Sequence, residues 1–103
     1  MAEQLDAERF EEIKDGGETW LIDFWAEWCG PCKQMEPIID ELDEERDDLN
    51  VGKVDVDENQ ELATQNAVRS IPTFTIIRDG EEVSRTMGAM SKSDFEDWID
   101  DNA

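Results

Sequence analysis

Leu21-Ile22-Asp23-Phe24-Trp25-Ala26-Glu27-Trp28-Cys29-Gly30-Pro31-Cys32-Lys33 is an apolar strand running straight into a turn that holds the only two cysteines of the chain. Trp20 to Trp25 is nearly continuously apolar, as expected of a central strand covered on both faces. Asp23 alone breaks the run. From Pro31 a helix follows, because proline suits a first turn and Met35, Ile38, Ile39, Leu42 and Leu49 recur at helical spacing. Pro37 inside it predicts a kink. The acids on this helix, Glu36 among them, read as a solvated face. At such a junction two cysteines can form a redox pair, supply metal ligands or act as a structural staple.

Downstream, Val51 to Val56 reads as a second strand, parallel to the first because a helical crossover joins them. Asp57 to Ala67 follows as a short helix. Thr73 to Arg78 and Glu82 to Met87 form two strands around Asp79-Gly80, a hairpin signal. Ser91 and Asp94 then open a last helix with Phe95, Trp98 and Ile99 on one face. Upstream, Asp6 caps a first helix, Leu5 and Phe10 are spaced as a hydrophobic staple, and Gly16-Gly17 ends it. This order implies one α/β domain over residues 1–103, a mixed sheet of about four strands with helices on both faces. In such sheets a site is expected beyond the carboxyl end of a parallel strand, where Cys29 lies.

With 29 acidic and nine basic residues the formal charge is -20, which repels nucleic-acid backbones and anionic membrane surfaces. Self-repulsion on this scale is relieved by molar salt, where the screening length is about 3 Å. Acid spread along the whole chain therefore points to adaptation to a high-salt cytoplasm. The first residues carry no basic, apolar signal pattern, and no run approaches a membrane span, so the expected location is cytoplasmic. In a reducing compartment a close cysteine pair favours catalysis or metal binding over a permanent cross-link. Zinc wants about four ligands, and one cysteine pair with no histidine falls short; no metal is expected.

Trp28-Cys29-Gly30-Pro31-Cys32-Lys33 after Asp23-Phe24-Trp25-Ala26, with Ser70-Ile71-Pro72-Thr73-Phe74 and Met87-Gly88-Ala89 downstream, resembles the thioredoxin family from Phe10 onward. The resemblance implies the three-layer thioredoxin-like fold. That family usually starts with a further strand, and so few residues precede Asp6 that this strand is expected to be short or absent. It also implies a monomeric thiol-disulfide oxidoreductase without a bound cofactor. Such a protein reduces protein disulfides and is itself re-reduced by a flavin-dependent thioredoxin reductase.

Disulfide exchange needs an attacking thiolate and a second thiol within reach. At a helix start Cys29 lies near unpaired backbone N–H groups that favour its thiolate, while Cys32, one turn on, faces inward. This makes Cys29 the nucleophile and Cys32 the resolving thiol, as in the family resembled. Gly30 and Pro31 set the turn without adding charge; related disulfide isomerases carry histidine there, so a more reducing pair is expected here. Burial would raise the pKa of Asp23 and make it a base near neutral pH. The resemblance implies that it accepts the proton of the resolving thiol, with Lys53 beside it.

Sequence alone favours a trans Ile71-Pro72 bond. The resemblance reverses this: the proline is expected to be cis, beside the disulfide, leaving the Ile71 backbone to pair with an extended substrate. Trp28, Val56, Gly88 and Ala89 would complete an apolar groove. Trp25 and Trp98 read as plain core. The alternative function is a docking module that uses the same groove with its cysteines incidental.

Overall fold

The computed structural model describes residues 2–103 as five strands and four helices. In chain order they are β1 (Glu3–Gln4), α1 (Ala7–Asp15), β2 (Thr19–Trp25), α2 (Gly30–Glu45), β3 (Asn50–Asp55), α3 (Gln60–Gln65), β4 (Thr73–Arg78), β5 (Glu81–Met87) and α4 (Lys92–Asn102). The sheet order is β1-β3-β2-β4-β5. β2 and β3 run parallel, as the helical crossover requires, while β4 lies antiparallel to both β2 and β5.

The alternation of side chains along β2 divides the core. Leu21 joins Met35, Ile39 and Leu42 of α2 and Phe95 and Ile99 of α4. Trp20, Ile22 and Phe24 join Phe10 and Ile13 of α1 and Leu62 of α3 on the other face. Each fully buried aliphatic or aromatic side chain contributes about 1.5–3 kcal/mol of transfer free energy. Both faces of β2 are therefore dry, and Asp23, at 1 % exposure, is buried with them.

Local chemistry sets the ends of the elements. The Asp6 carboxylate accepts the Arg9 amide at 2.8 Å and Ser91 Oγ accepts the Asp94 amide at 3.1 Å, which starts α1 and α4. Asp79 and Gly80 both have positive φ, as a two-residue primed turn demands, and a Cβ on Gly80 would run into the Lys14 carbonyl.

The first strand is short, as expected, and two expectations, the place of Leu49 and the start of α3, need adjustment. The sheet has five strands, because a two-residue β1 pairs with Gly52 and Lys53 of β3. It is held there by Leu5, whose amide donates to the Lys53 carbonyl at 2.8 Å and whose side chain occupies the space a Cβ on Gly52 would need. Leu49 is not on α2, which ends at Glu45; it is buried in the connection to β3 and joins the α2-side core from there. α3 starts at Gln60, later than Asp57, because the Asp55 carboxylate accepts the Asp57 and Glu58 amides and holds a turn. α2 continues through Pro37 to Glu45.

Candidate functional site

The site forms where β2 ends and α2 begins. Cys29 is the N-cap of α2, and it is joined to Cys32 by a disulfide with Cα atoms 5.2 Å apart. The Cys32 backbone N–H donates to Cys29 Sγ at 3.1 Å. Sulfur thus takes the position that a serine or aspartate oxygen usually fills, on one of the otherwise unpaired amides of the helix start. The two cysteines are 4 % and 3 % exposed, so burial does not distinguish them; the amide does. Gly30 and Pro31 lie exposed on the first turn.

Ala26 and the two cysteines form a small apolar cluster against which Trp25, Val56 and Ile71 pack. Trp28 stands 70 % exposed beside it, its indole N–H donating to Asp57 Oδ2 at 2.8 Å. An open cleft of about 380 Å³ runs from Trp28 past Val56 and Ile71 to Ala63 and Val68. The Ile71-Pro72 peptide is cis, Pro72 is buried, and its carbonyl accepts the Gly88 amide at 2.9 Å. Gly88 is thereby tied to the Pro72 loop, whereas Ala89 is exposed on the next turn; neither lines the cleft beside Trp28.

On the α2 face of β2, Asp23 stands opposite Lys53 in the parallel register of β2 and β3. Burial pushes the Asp23 carboxyl up to about 7; the Lys53 ammonium pulls it down and Glu36 adds to the rise. Asp23 Oδ1 has no hydrogen-bond partner among the described residues. The Lys53 ammonium lies 3.4 Å from Glu36 Oε1 and 4.3 Å from the centre of the Trp25 ring.

Two of these residues escape a sequence reading. Glu36 belongs to an acidic helix run, and only the approach of β3 to α2 gives it a buried lysine as neighbour. Trp25 is a wall of the cysteine cluster and a platform for Lys53, not plain core; its position four residues before Cys29 was the available signal. Trp98 is half-buried against Phe95, and its indole N–H donates to Ser84 at 3.1 Å.

The thioredoxin family model, described as Thioredoxin, matches residues 1–101. The chain belongs to the thioredoxin family. It is 48 % identical over 80 residues to the thioredoxin of Bacillus subtilis (strain 168), covering 77 % of each chain. The structure of a mutant thioredoxin from Halobacterium salinarum NRC-1 superposes with a TM-score of 0.85 at 36 % identity, over 96 % of this chain and 89 % of that one. A bifunctional thioredoxin reductase/thioredoxin of Mycobacterium leprae (strain TN) is 42 % identical over 92 residues, 88 % of this chain and 20 % of that longer protein. With its Cys29–Cys32 pair this thioredoxin-family chain is a thiol-disulfide oxidoreductase, a dithiol reductant of protein disulfides. Among the described residues no helix is long and apolar enough to cross a membrane.

Proposed function

We propose that Cys29 attacks, Cys32 resolves and Asp23 takes the resolving proton, with a thioredoxin reductase restoring the dithiol. The observation that carries this reading is the amide of Cys32 on Cys29 Sγ at the start of α2. That donor and the positive end of the helix stabilise a thiolate on Cys29 in the reduced protein.

In the first step the Cys29 thiolate forms a bond to one sulfur of a substrate disulfide, and the other substrate sulfur leaves with the bonding pair and takes a proton. In the second, Cys32 gives its proton to the Asp23 carboxylate and its sulfur attacks Cys29 Sγ. The mixed disulfide breaks, the second substrate sulfur leaves, and the Cys29–Cys32 bond closes. The substrate gains two electrons and the pair loses two. Asp23 suits the transfer because a carboxyl displaced to about 7 can both take and return a proton at neutral pH.

Trp28, Val56 and Ile71 provide the surface on which an extended substrate segment lies, and the segment continues beyond the cleft over Pro72, Gly88, which is tied to the Pro72 carbonyl, and Ala89. Gly30 and Pro31 keep the outer approach to the pair uncharged, consistent with a reducing potential. The reductase partner is supported by the fusion of both activities in the Mycobacterium leprae relative. A monomer in a salt-rich cytoplasm, without nucleic-acid or membrane partners, fits the charge of -20.

The test is turnover of insulin disulfides with NADPH and a thioredoxin reductase. The wild-type chain is expected to cycle and Cys29→Ser to be inactive; equal activity of the two would overturn the proposal.

A further inference from the structure

Lys53 is the single ammonium between two carboxylates. Asp23, on β2, is its register partner and is almost completely buried; Glu36, on α2, is half-exposed at the other side. The cation contacts Glu36 and the Trp25 face, while Asp23 Oδ1 receives no hydrogen bond among the described residues. The groups facing Asp23 are thus Lys53 from β3, the apolar Phe74 from β4, and Glu36 from α2.

We propose that Glu36 is a positioning residue for the reduction: by holding the Lys53 ammonium toward α2, it governs how readily the Asp23 carboxyl ionises. This rests on the reading of Asp23 as proton acceptor for its catalytic meaning, but not for its physics. A neighbouring negative charge disfavours the carboxylate directly, and it also competes for the one cation that would favour it. Both effects act in the same direction. With Glu36 neutralised, Lys53 faces Asp23 alone and the carboxylate is stabilised.

The experiment is an NMR titration of the Asp23 side-chain carboxyl carbon in the oxidised protein, comparing wild type, Glu36→Gln and Glu44→Gln. Glu44 is exposed two turns further along the same helix, so its substitution removes the same charge without touching Lys53. Glu36→Gln is expected to lower the Asp23 midpoint, raising the ratio of ionised to protonated carboxyl at the wild-type midpoint about three- to tenfold. Glu44→Gln is expected to leave it within about twofold. A midpoint unmoved by Glu36→Gln, or moved equally by both substitutions, overturns the inference. The acceptor reading is tested separately on the same variants. If the pH profile of mixed-disulfide resolution ignores a shifted Asp23 titration, the acceptor role falls while the effect of Glu36 on ionisation stands.

Discussion

Asp23 and Lys53 are opposite one another on neighbouring parallel strands, yet the lysine makes its ion pair with Glu36 and Asp23 Oδ1 stays without a hydrogen bond among the described residues. A buried acid in that position is costly to ionise. The folded pKa, raised from 3.8 to about 7, lies above that of the unfolded chain. Between those values the folded state binds a proton the unfolded chain has lost, so stability falls as pH rises through the interval. The full displacement corresponds to about 4 kcal/mol, at 1.36 kcal/mol per pH unit.

Asp23→Asn is therefore expected to stabilise the oxidised protein at pH 8 by about 2–4 kcal/mol, the gain vanishing near pH 4. It is also expected to slow resolution of the mixed disulfide by about tenfold or more. Urea unfolding across this pH range measures the first and quenched-flow alkylation the second. Superimposable stability curves for the two proteins would contradict the burial of an ionisable group.

Trp28 is exposed, and its indole is held by the Asp57 carboxylate at 2.8 Å. Asp57→Ala releases the ring from the wall of the cleft. A loss of about 1 kcal/mol in substrate positioning raises KM for a protein disulfide about fivefold. The turnover number at saturation should hardly move. Asp57→Asn, which keeps an acceptor, is expected to fall between the two, as steady-state kinetics would read.

The amide on Cys29 Sγ distinguishes two cysteines of nearly equal burial. In the reduced protein at pH 7, iodoacetamide is expected to label Cys29 at least about tenfold faster than Cys32. Peptide mass spectrometry reads the ratio; equal labelling would contradict the assignment.

With a formal charge of -20 the folded chain repels itself most at low salt, where the screening length is about 30 Å at 0.01 M against about 3 Å at 1 M. Stability by tryptophan fluorescence should rise markedly between these KCl concentrations. Equal midpoints would remove the high-salt interpretation.

Much of the fold can be read from the chain because local and global signals agree at its turns. Asp6, Asp79-Gly80 and Ser91 each announce an element boundary that the structure places there. Asp23 was legible for the opposite reason, as one acid in an otherwise apolar strand. Leu49 misled because its spacing from Leu42 continues a helical stripe, whereas the chain leaves the helix at Glu45 and the side chain reaches the same core from a loop. β1 was expected only as short or absent because two residues cannot show a period; its pairing depends on Leu5 fitting over Gly52. Glu36 could not be told from its acidic neighbours until β3 brought Lys53 against it.

The most direct measurement is covalent trapping of a disulfide-containing protein by Cys32→Ser and Cys29→Ser variants, read on non-reducing gels and by peptide mapping. The expected result is a stable mixed disulfide through Cys29 in Cys32→Ser and none of comparable yield in Cys29→Ser. Equal capture by both, or capture only through Cys32, would contradict the assignment of attack to Cys29.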